Sequence, residues 1–146
     1  MKHGVEVLLF DENDQLLLHR RGPACKDEQY QLEGFGGSIE RGESVFEAAN
    51  REVREEAGLK CQVRLDAAVF TKHIKTRSGK WLITTVVGRI VGEPLIVETD
   101  KNLGYVRINL EEALQNDQIS RSVRDSCRRL WELGLTELPS LDDFNE

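Results

Sequence analysis

The chain has 146 residues, of which 39% are hydrophobic and 32% charged, with a formal net charge of −6. This length favours one domain over residues 1–146, and the composition excludes a disordered chain and a membrane-spanning helix, because no apolar run approaches roughly 20 residues. The acidic balance argues against binding a long nucleic-acid backbone, so a chain like this that handles phosphates needs a cation as intermediary.

The first predicted elements form a β-hairpin. Residues 4–10 are mostly apolar and partly β-branched, "DENDQ" interrupts them, and "LLLHRR" resumes the pattern. This order is typical of a strand, a tight turn and a second strand. Residues 22–29 carry Gly, Pro and charge without periodicity, which predicts a surface loop that leads to a short extended piece near "YQLEGF".

A helix is predicted to begin close to Ser44 and to stop at Gly58. Ser44 and Glu47 have the spacing of a capping box, apolar residues recur behind them at helical spacing, and glycine favours a helix end. Residues 61–75 and 81–92 are rich in β-branched and aromatic side chains, and "TRSGK" separates them, so they predict two long strands of a hairpin. "GYVRINL" predicts one more strand.

The C-terminal part is predicted to be helical. "LEEALQN" and "SRSVRDSCRRLWELG" both show helical periodicity, and the second ends at a glycine. Its apolar stripe for docking on the sheet consists of Val123, Cys127, Leu130 and Trp131, and Leu133 extends it. Residues 137–146 are acidic and are predicted to form a flexible tail.

The cysteines and the N-terminus bear on the compartment. Cys25, Cys61 and Cys127 are odd in number, widely spaced and without C-x-x-C pairing, so we expect free thiols rather than disulfides or a structural zinc site. The N-terminal apolar stretch contains Glu6 and has no cleavage site, so it is not a secretory signal. We therefore expect a cytoplasmic protein.

Candidate chemistry is concentrated in "GGSIERGESVFEAANREVREEAGL", residues 36–59. Glu52, Glu55 and Glu56 lie three and four residues apart, so a helix gathers them on one face, where they repel one another. A divalent metal ion reverses that repulsion, and Mg²⁺ prefers carboxylate oxygens and commonly bridges side chains to substrate phosphates. We interpret the cluster as a candidate magnesium site. The alternative is a solvated helix face stabilised by Glu–Arg pairs.

The residues around the cluster fit this interpretation. The glycine-rich turn exposes backbone groups to a ligand, and the carbonyl of Gly36 is a candidate metal ligand. Arg51 lies four residues from both Glu47 and Glu55, so it can hold neighbouring carboxylates, and Glu43 is a further candidate partner. We expect this pairing to fix the loop against the helix and to leave Glu52 and Glu56 free for the ion.

The longer pattern is G-x5-E-x7-R-E-U-x-E-E-x-G-U, with U a bulky aliphatic residue, from Gly37 to Leu59. All nine specified positions match, and with this pattern the chain resembles the Nudix hydrolases. The resemblance implies an α/β fold, an αβα sandwich with a central mixed sheet. It also implies hydrolysis of a nucleoside diphosphate linked to another group, with Mg²⁺ as cofactor and Mn²⁺ as a substitute.

The resemblance also implies residue roles. The metal ligands it implies are Gly36, through its carbonyl, Glu52, Glu55 and Glu56. The expected catalytic residues are Glu52 and Glu55, as alternative general bases, and Arg51 and Glu43, which orient them. The expected substrate contacts are Arg21, Phe35 and Gly37.

Some positions depart from the pattern of the family. Phe35 stands where many relatives have proline, as in members that hydrolyse oxidised purine nucleoside triphosphates, but those members have Trp and Asn where this chain has Leu32 and Glu33. Glu98 and Asp100 are alternative candidates for one more metal ligand. Asn116 and Asp117 are either base contacts or part of a plain interhelical loop.

The leading hypothesis is a pyrophosphohydrolase that cuts a nucleoside triphosphate, an oxidised purine one included, to the monophosphate and pyrophosphate. The alternatives are an ADP-ribose or nucleotide-sugar pyrophosphatase, a module that senses nucleotides without hydrolysing them, and an isomerase of prenyl diphosphates. The expected partner is a small nucleotide, with no polymeric nucleic acid and no membrane. The oligomeric state stays open between a monomer and the homodimer that the resemblance implies.

Overall fold

One mixed sheet of seven strands organises the computed structural model, which describes residues 1–25 and 29–134. The strands are β1 (Lys2–Phe10), β2 (Leu16–Arg21), β3 (Leu32–Glu33), β4 (Phe35–Ser38), β5 (Gln62–Thr76), β6 (Gly79–Val91) and β7 (Asn102–Ile108). The helices are α1 (Val45–Ala57), α2 (Leu110–Ala113) and α3 (Arg121–Glu132). The predicted hairpins, the helix after Ser44 and the helical C-terminal part are all present.

The central strand β1 has two different neighbours along one of its edges. Its C-terminal end pairs antiparallel with β2, and its N-terminal part pairs antiparallel with β4. Its other edge pairs in parallel with β6 along its whole length, and β5 pairs antiparallel with β6. Because β2 gives way to β4 along β1, Gly36 and Gly37 lie opposite Glu6 and Val5, in the middle of the molecule.

Helices cover both faces of this sheet. Alternate β1 residues point to opposite faces, so Val5, Val7 and Leu9 pack in one core cluster with residues of α1. Leu8 and Phe10 pack in a second cluster with residues of α2 and α3. The predicted αβα sandwich with a mixed sheet is therefore confirmed.

The capping box that positions α1 is also confirmed. The backbone N–H of Glu47 donates to Ser44 Oγ at 3.1 Å, and the N–H of Ser44 donates back to Glu47 Oε1 at 3.2 Å. Gly58 ends the helix with a φ of 80°, a left-handed value that favours glycine. These two signals set the phase of the helix and thereby decide which face carries the glutamates.

The predicted apolar stripe on α3 is wrong at its C-terminal end. Trp131 is 42% exposed and Leu133 60% exposed. The buried face instead continues through Ser126, because residues 123, 126, 127 and 130 share one side of a helix and residue 131 lies about 100° further round.

The remaining expectations concern the cysteines, membrane-spanning helices, the surface loop and the C-terminal tail. Cys25, Cys61 and Cys127 are free, as predicted. Within residues 1–25 and 29–134, no helix has the length and apolarity that crossing a membrane requires. Residues 26–28 of the predicted surface loop and the predicted tail at 137–146 lie outside the described residues.

Candidate active site

Arg51 on α1 is the centre of a network of hydrogen bonds. Its Nε donates to Glu43 Oε2 at 2.7 Å, and its Nη2 donates to Glu43 Oε1 at 2.9 Å and to the carbonyl of Ser38 at 2.9 Å. Its Nη1 lies 3.0 Å from Glu52 Oε1 and 3.4 Å from Glu55 Oε2. One guanidinium thus joins the end of β4, the loop before α1 and two glutamates of the helix.

The electrostatic effect of Arg51 is uneven among its partners. Its hydrogen bonds hold the pKa of Glu43 down, from an ordinary 4.5 to about 2.

The predicted pairing of Arg51 with Glu55 is present, but the predicted pairing with Glu47 is wrong, because the carboxylate of Glu47 accepts the Ser44 N–H of the capping box. The predicted pairing of Arg51 with Glu43 is confirmed.

Glu56 lies on the next turn of α1 and contacts β4. The backbone N–H of Gly36 donates to Glu56 Oε2 at 3.0 Å. The expectation that Glu52 and Glu56 are left free is therefore wrong, since Arg51 and the Gly36 amide are their protein donors. A carboxylate shielded from water is stabilised by the nearest N–H, and β4 and Arg51 supply those donors.

The glycines of β4 allow this close approach. A Cβ placed on Gly37 would lie 2.3 Å from Glu52 Oε1, and a Cβ on Gly36 would lie 2.2 Å from the carbonyl oxygen of Val5. Side chains at these positions would fill the space that the carboxylate and the neighbouring strand occupy. The paired glycines therefore let the helix bring its glutamates against exposed backbone.

Burial makes the charges on two of these glutamates costly. It raises the pKa of Glu52, against the opposing effect of Arg51. Burial also raises the pKa of Glu56 well above its ordinary value, and the negative charges of Glu52, Glu98 and Glu33 raise it further. The site thus holds more negative charge than its own donors neutralise, which is the environment that a bound cation stabilises.

The carboxylates of the site suit a hard divalent cation by ligand type. Within the described part of the chain, however, no group of three or more His, Cys, Asp or Glu side chains is already arranged to hold a metal ion. The expected convergence of Glu52, Glu55 and Glu56 is therefore not found as a ready ligand group. Glu55 is 52% exposed and contacts Arg51, whereas Glu56 is held by β4.

An open cleft of about 1100 Å³ begins at β4 and continues between β5 and α3. At the β4 end it is lined by Arg21, Glu33, Phe35, Gly36, Gly37 and Glu56. The expected substrate residues Arg21 and Gly37 therefore line this cleft. The ring of Phe35 is 1% exposed and packs beside His19 and Tyr105, so mainly its backbone faces the cleft. Glu43, Arg51, Glu52 and Glu55 lie outside this lining.

The loop before β7 brings one of its two candidate acids towards the site. Glu98 is close enough to raise the pKa of Glu56, and its Oε2 lies 3.1 Å from Lys101 Nζ. The carbonyl of Asp100 accepts the N–H of Ala24, which gives Asp100 a part in holding the loop. Glu98 is thus the better placed of the two.

Four other positions were singled out in the sequence, and two of them line the cleft whereas two do not. Leu32 is buried in the core, whereas Glu33 lines the cleft and accepts the N–H of Gly34 at 3.2 Å. Asn116 accepts the N–H of Gln118 and so stabilises a turn, whereas Asp117 lines the cleft.

Sequence reasoning missed a buried ion pair in the cleft. Lys72 Nζ lies 3.2 Å from Glu6 Oε1 and donates to Ser122 Oγ at 2.8 Å, and Ser126 donates to Glu6. Thr85 also donates to Glu6, at 3.1 Å. The one signal in the sequence was a glutamate inside the apolar run of β1, at a position that faces α3.

The family model described as the NUDIX domain matches residues 2–127. A MutT protein from Methanosarcina mazei Go1 has a similar structure, with a TM-score of 0.81 at 21% identity over 91% of this chain and 94% of that one. A MutT NUDIX hydrolase from Burkholderia pseudomallei has a TM-score of 0.72 at 20% identity, over 88% and 97%. A C. elegans Ap4A hydrolase in a binary complex has 0.71 at 12% identity, over 94% and 100%. No curated protein matched significantly.

Proposed function

The chain belongs to the NUDIX family, whose members are hydrolases acting on pyrophosphate bonds of small nucleotides, and we propose that residues 36–59 form its catalytic site. The observation that carries this proposal is the contact of Glu52 and Glu56 with β4. Both carboxylates are shielded from water, both lie against the backbone of Gly36 and Gly37, and β4 lines an open cleft. Charge and exposed backbone are thus brought together where a phosphate group can enter.

Family members generally use divalent metal ions, and we propose Mg²⁺, with Mn²⁺ as a substitute. Glu52, Glu55, Glu56 and the carbonyl of Gly36 would hold the ion. When bound, it neutralises charge on the diphosphate and lowers the pKa of a water molecule. Glu98 is the favoured further ligand, because its charge already acts on Glu56.

The residues of the chain divide the remaining tasks. The carboxylate of Glu52 takes a proton from the attacking water, whose oxygen forms a bond to phosphorus. The anhydride P–O bond then breaks, and its electron pair leaves on the oxygen of the departing phosphate. Glu52 is favoured over Glu55 as the base, because Arg51 holds its carboxylate close to Gly37 of β4, whereas Glu55 is 52% exposed.

Arg51 and Glu43 act through position. Arg51 holds Glu52 Oε1 at 3.0 Å, and Glu43 fixes Arg51 with two hydrogen bonds. Arg21 and the backbone at Phe35 and Gly37 contact the substrate from the wall of the cleft.

The substrate that we propose is a nucleoside triphosphate, cut to the monophosphate and pyrophosphate, and oxidised purine nucleotides belong to the candidates. The similar structures do not decide the substrate, because one of them is named for Ap4A and the two MutT proteins carry no substrate in their names. ADP-ribose or another nucleotide sugar is the rival substrate class.

We also propose a single domain over 1–146 that works in the cytoplasm, because the three free cysteines suit a reducing compartment. Its oligomeric state is open between monomer and homodimer. The long edge strand β5, with 15 residues, supports the dimer as a surface for pairing.

A panel of nucleotides tests the activity. The purified chain is incubated with Mg²⁺ and nucleoside triphosphates, oxidised purine triphosphates, ADP-ribose and diadenosine tetraphosphate, and the released phosphate species are identified. We expect pyrophosphate and the monophosphate from at least one triphosphate. Cleavage of no diphosphate-linked compound would overturn the assignment, and tight binding without product would instead identify a sensing module.

A further inference from the structure

The cleft is basic where α3 and the end of β5 line it, and Ser122 of α3 there bonds to Glu6, the strand partner of Gly36 in β4. Four of its lining residues there are Lys75, Arg77, Arg121 and Arg124, from the end of β5, the turn after it and α3. Within the described part of the chain, none of these four has a side-chain hydrogen bond or an ion pair. We call these four residues the basic end of the cleft.

The other cations near this end are already neutralised. Lys72 is paired with Glu6, and Arg129 Nε lies 3.2 Å from Asp125 Oδ2 while its guanidinium stacks over Phe70. Asp117 is the remaining acid of this part of the lining. The basic end therefore carries a positive excess, although the whole chain has a net charge of −6.

The same cleft gives little surface for stacking a nucleobase. Its described lining has two side chains with rings, Phe35 and His73. Phe35 is buried in the core, and Phe70 lies beneath Arg129. Lys72 and Glu6, which also line the cleft, already bond to each other and to α3. A ligand with additional negative charge would therefore meet four cations that have no partner among the described residues.

We propose that the basic end binds negative charge on the group linked to the nucleoside diphosphate, and that it thereby selects phosphate-bearing substrates over neutral nucleotide sugars. This proposal rests on the proposed function, because the diphosphate is taken to lie at β4 and Glu56. The substrate class is then a nucleoside triphosphate or a dinucleoside polyphosphate. A long polyanion is disfavoured, because the positive excess is confined to the cleft of an acidic protein.

Two matched double variants isolate the basic end. In the first, Arg121→Gln is combined with Arg124→Gln, which removes two charges from the cleft wall. In the control, Arg128→Gln is combined with Lys60→Gln, which removes two exposed charges outside the lining, one from α3 and one from the segment between α1 and β5. Both variants change the net charge of the chain equally, so a difference between them reports position.

The kinetic test compares ATP and diadenosine tetraphosphate with ADP-glucose, which has a neutral group beyond its diphosphate. We expect the cleft variant to raise KM for the first two about tenfold, the size of about one charge-assisted hydrogen bond. Its KM for ADP-glucose should stay within about twofold of the unchanged protein, as should every value for the control. Equal losses on all three compounds, or no loss, would overturn the proposal.

A binding measurement keeps the proposal testable if no compound is cleaved. Calorimetry with inorganic tripolyphosphate, in the presence of a chelator, measures the basic end without hydrolysis and without a base. We expect the cleft variant to bind about tenfold more weakly than the control. Equal binding by the two variants would overturn the proposal, and so would a 5′-triphosphorylated RNA that binds more tightly with increasing length.

Discussion

Arg51 holds Glu43 with two hydrogen bonds, from Nε to Oε2 at 2.7 Å and from Nη2 to Oε1 at 2.9 Å. A planar guanidinium and a carboxylate in this arrangement fix each other's orientation as well as their distance. The third nitrogen of the same group lies 3.0 Å from Glu52 Oε1. The position of Glu52 therefore depends on a residue in the loop before the helix.

Glu43→Gln should lower kcat about 10- to 100-fold with a smaller change in KM, because the substitution loosens Arg51 and with it Glu52. The control is Glu40→Gln in the same loop, where the carboxylate is 65% exposed and lies 3.7 Å from Arg51. Steady-state kinetics on the best substrate of the panel compares the two variants. Equal activity of both would contradict the positioning role of Glu43.

Glu52→Gln should lower kcat at least about 100-fold, because an amide neither accepts the proton of the attacking water nor binds a cation well. Glu47→Gln on the same helix is the matched control, since glutamine also completes a capping box with Ser44. Circular dichroism should show the same helix content in both variants. Near-normal turnover by Glu52→Gln would refute its assignment.

Gly37→Ala should lower kcat about tenfold while the fold persists. The added methyl would lie 2.3 Å from Glu52 Oε1, and the end of that flexible side chain can move aside at little cost to stability. The loss should disappear in the Glu52→Gln background, because the displaced group no longer works there. Additive losses in the double variant would mean that the methyl acts elsewhere.

His19 should make the protein less stable in mild acid. Burial and the neighbouring charge of Arg21 lower its pKa from 6.5 to about 4. Between these values the unfolded chain binds a proton that the folded chain does not, so stability falls as the pH drops from 6.5 towards 4. Urea unfolding measures the free energy of unfolding of the unchanged protein and of His19→Leu at both pH values. Between pH 7.5 and pH 4.5, the unchanged protein should lose about 2–3 kcal/mol relative to the variant. Parallel pH profiles would contradict a buried, neutral His19.

The elements that sequence predicts well are those with local signals. The capping box of Ser44 and Glu47 and the stop at Gly58 set the limits of α1, and both work within one turn of chain. The free cysteines also follow from spacing alone. The prediction for Trp131 is wrong because an apolar stripe does not fix the rotation of a helix about its axis. The hydrogen bond from Lys72 to Ser126 decides which side of α3 faces the sheet.

The motif predicts which residues lie near one another in the candidate site, whereas their hydrogen-bond partners could not be predicted, and their roles stay predictions. Glu43, Arg51, Glu52 and Glu56 follow from the motif, but the Gly36 amide and Arg51 were not foreseen as the donors to two of these glutamates. The partners Lys72 and Glu6 are 66 residues apart, and they meet because β6 pairs with both of their strands. Cross-strand pairing of this kind leaves no periodic trace in a sequence.

The central claim is that Glu52 and Glu56 hold a divalent cation beside β4, and a titration with Mn²⁺ followed by electron paramagnetic resonance tests it most directly. We predict that the protein takes up Mn²⁺, that Mg²⁺ displaces it, and that Glu52→Gln and Glu56→Gln each weaken uptake at least about tenfold while Glu47→Gln does not. Uptake that is equal in all of these proteins, or no uptake by the unchanged protein even with a nucleotide present, would contradict the claim.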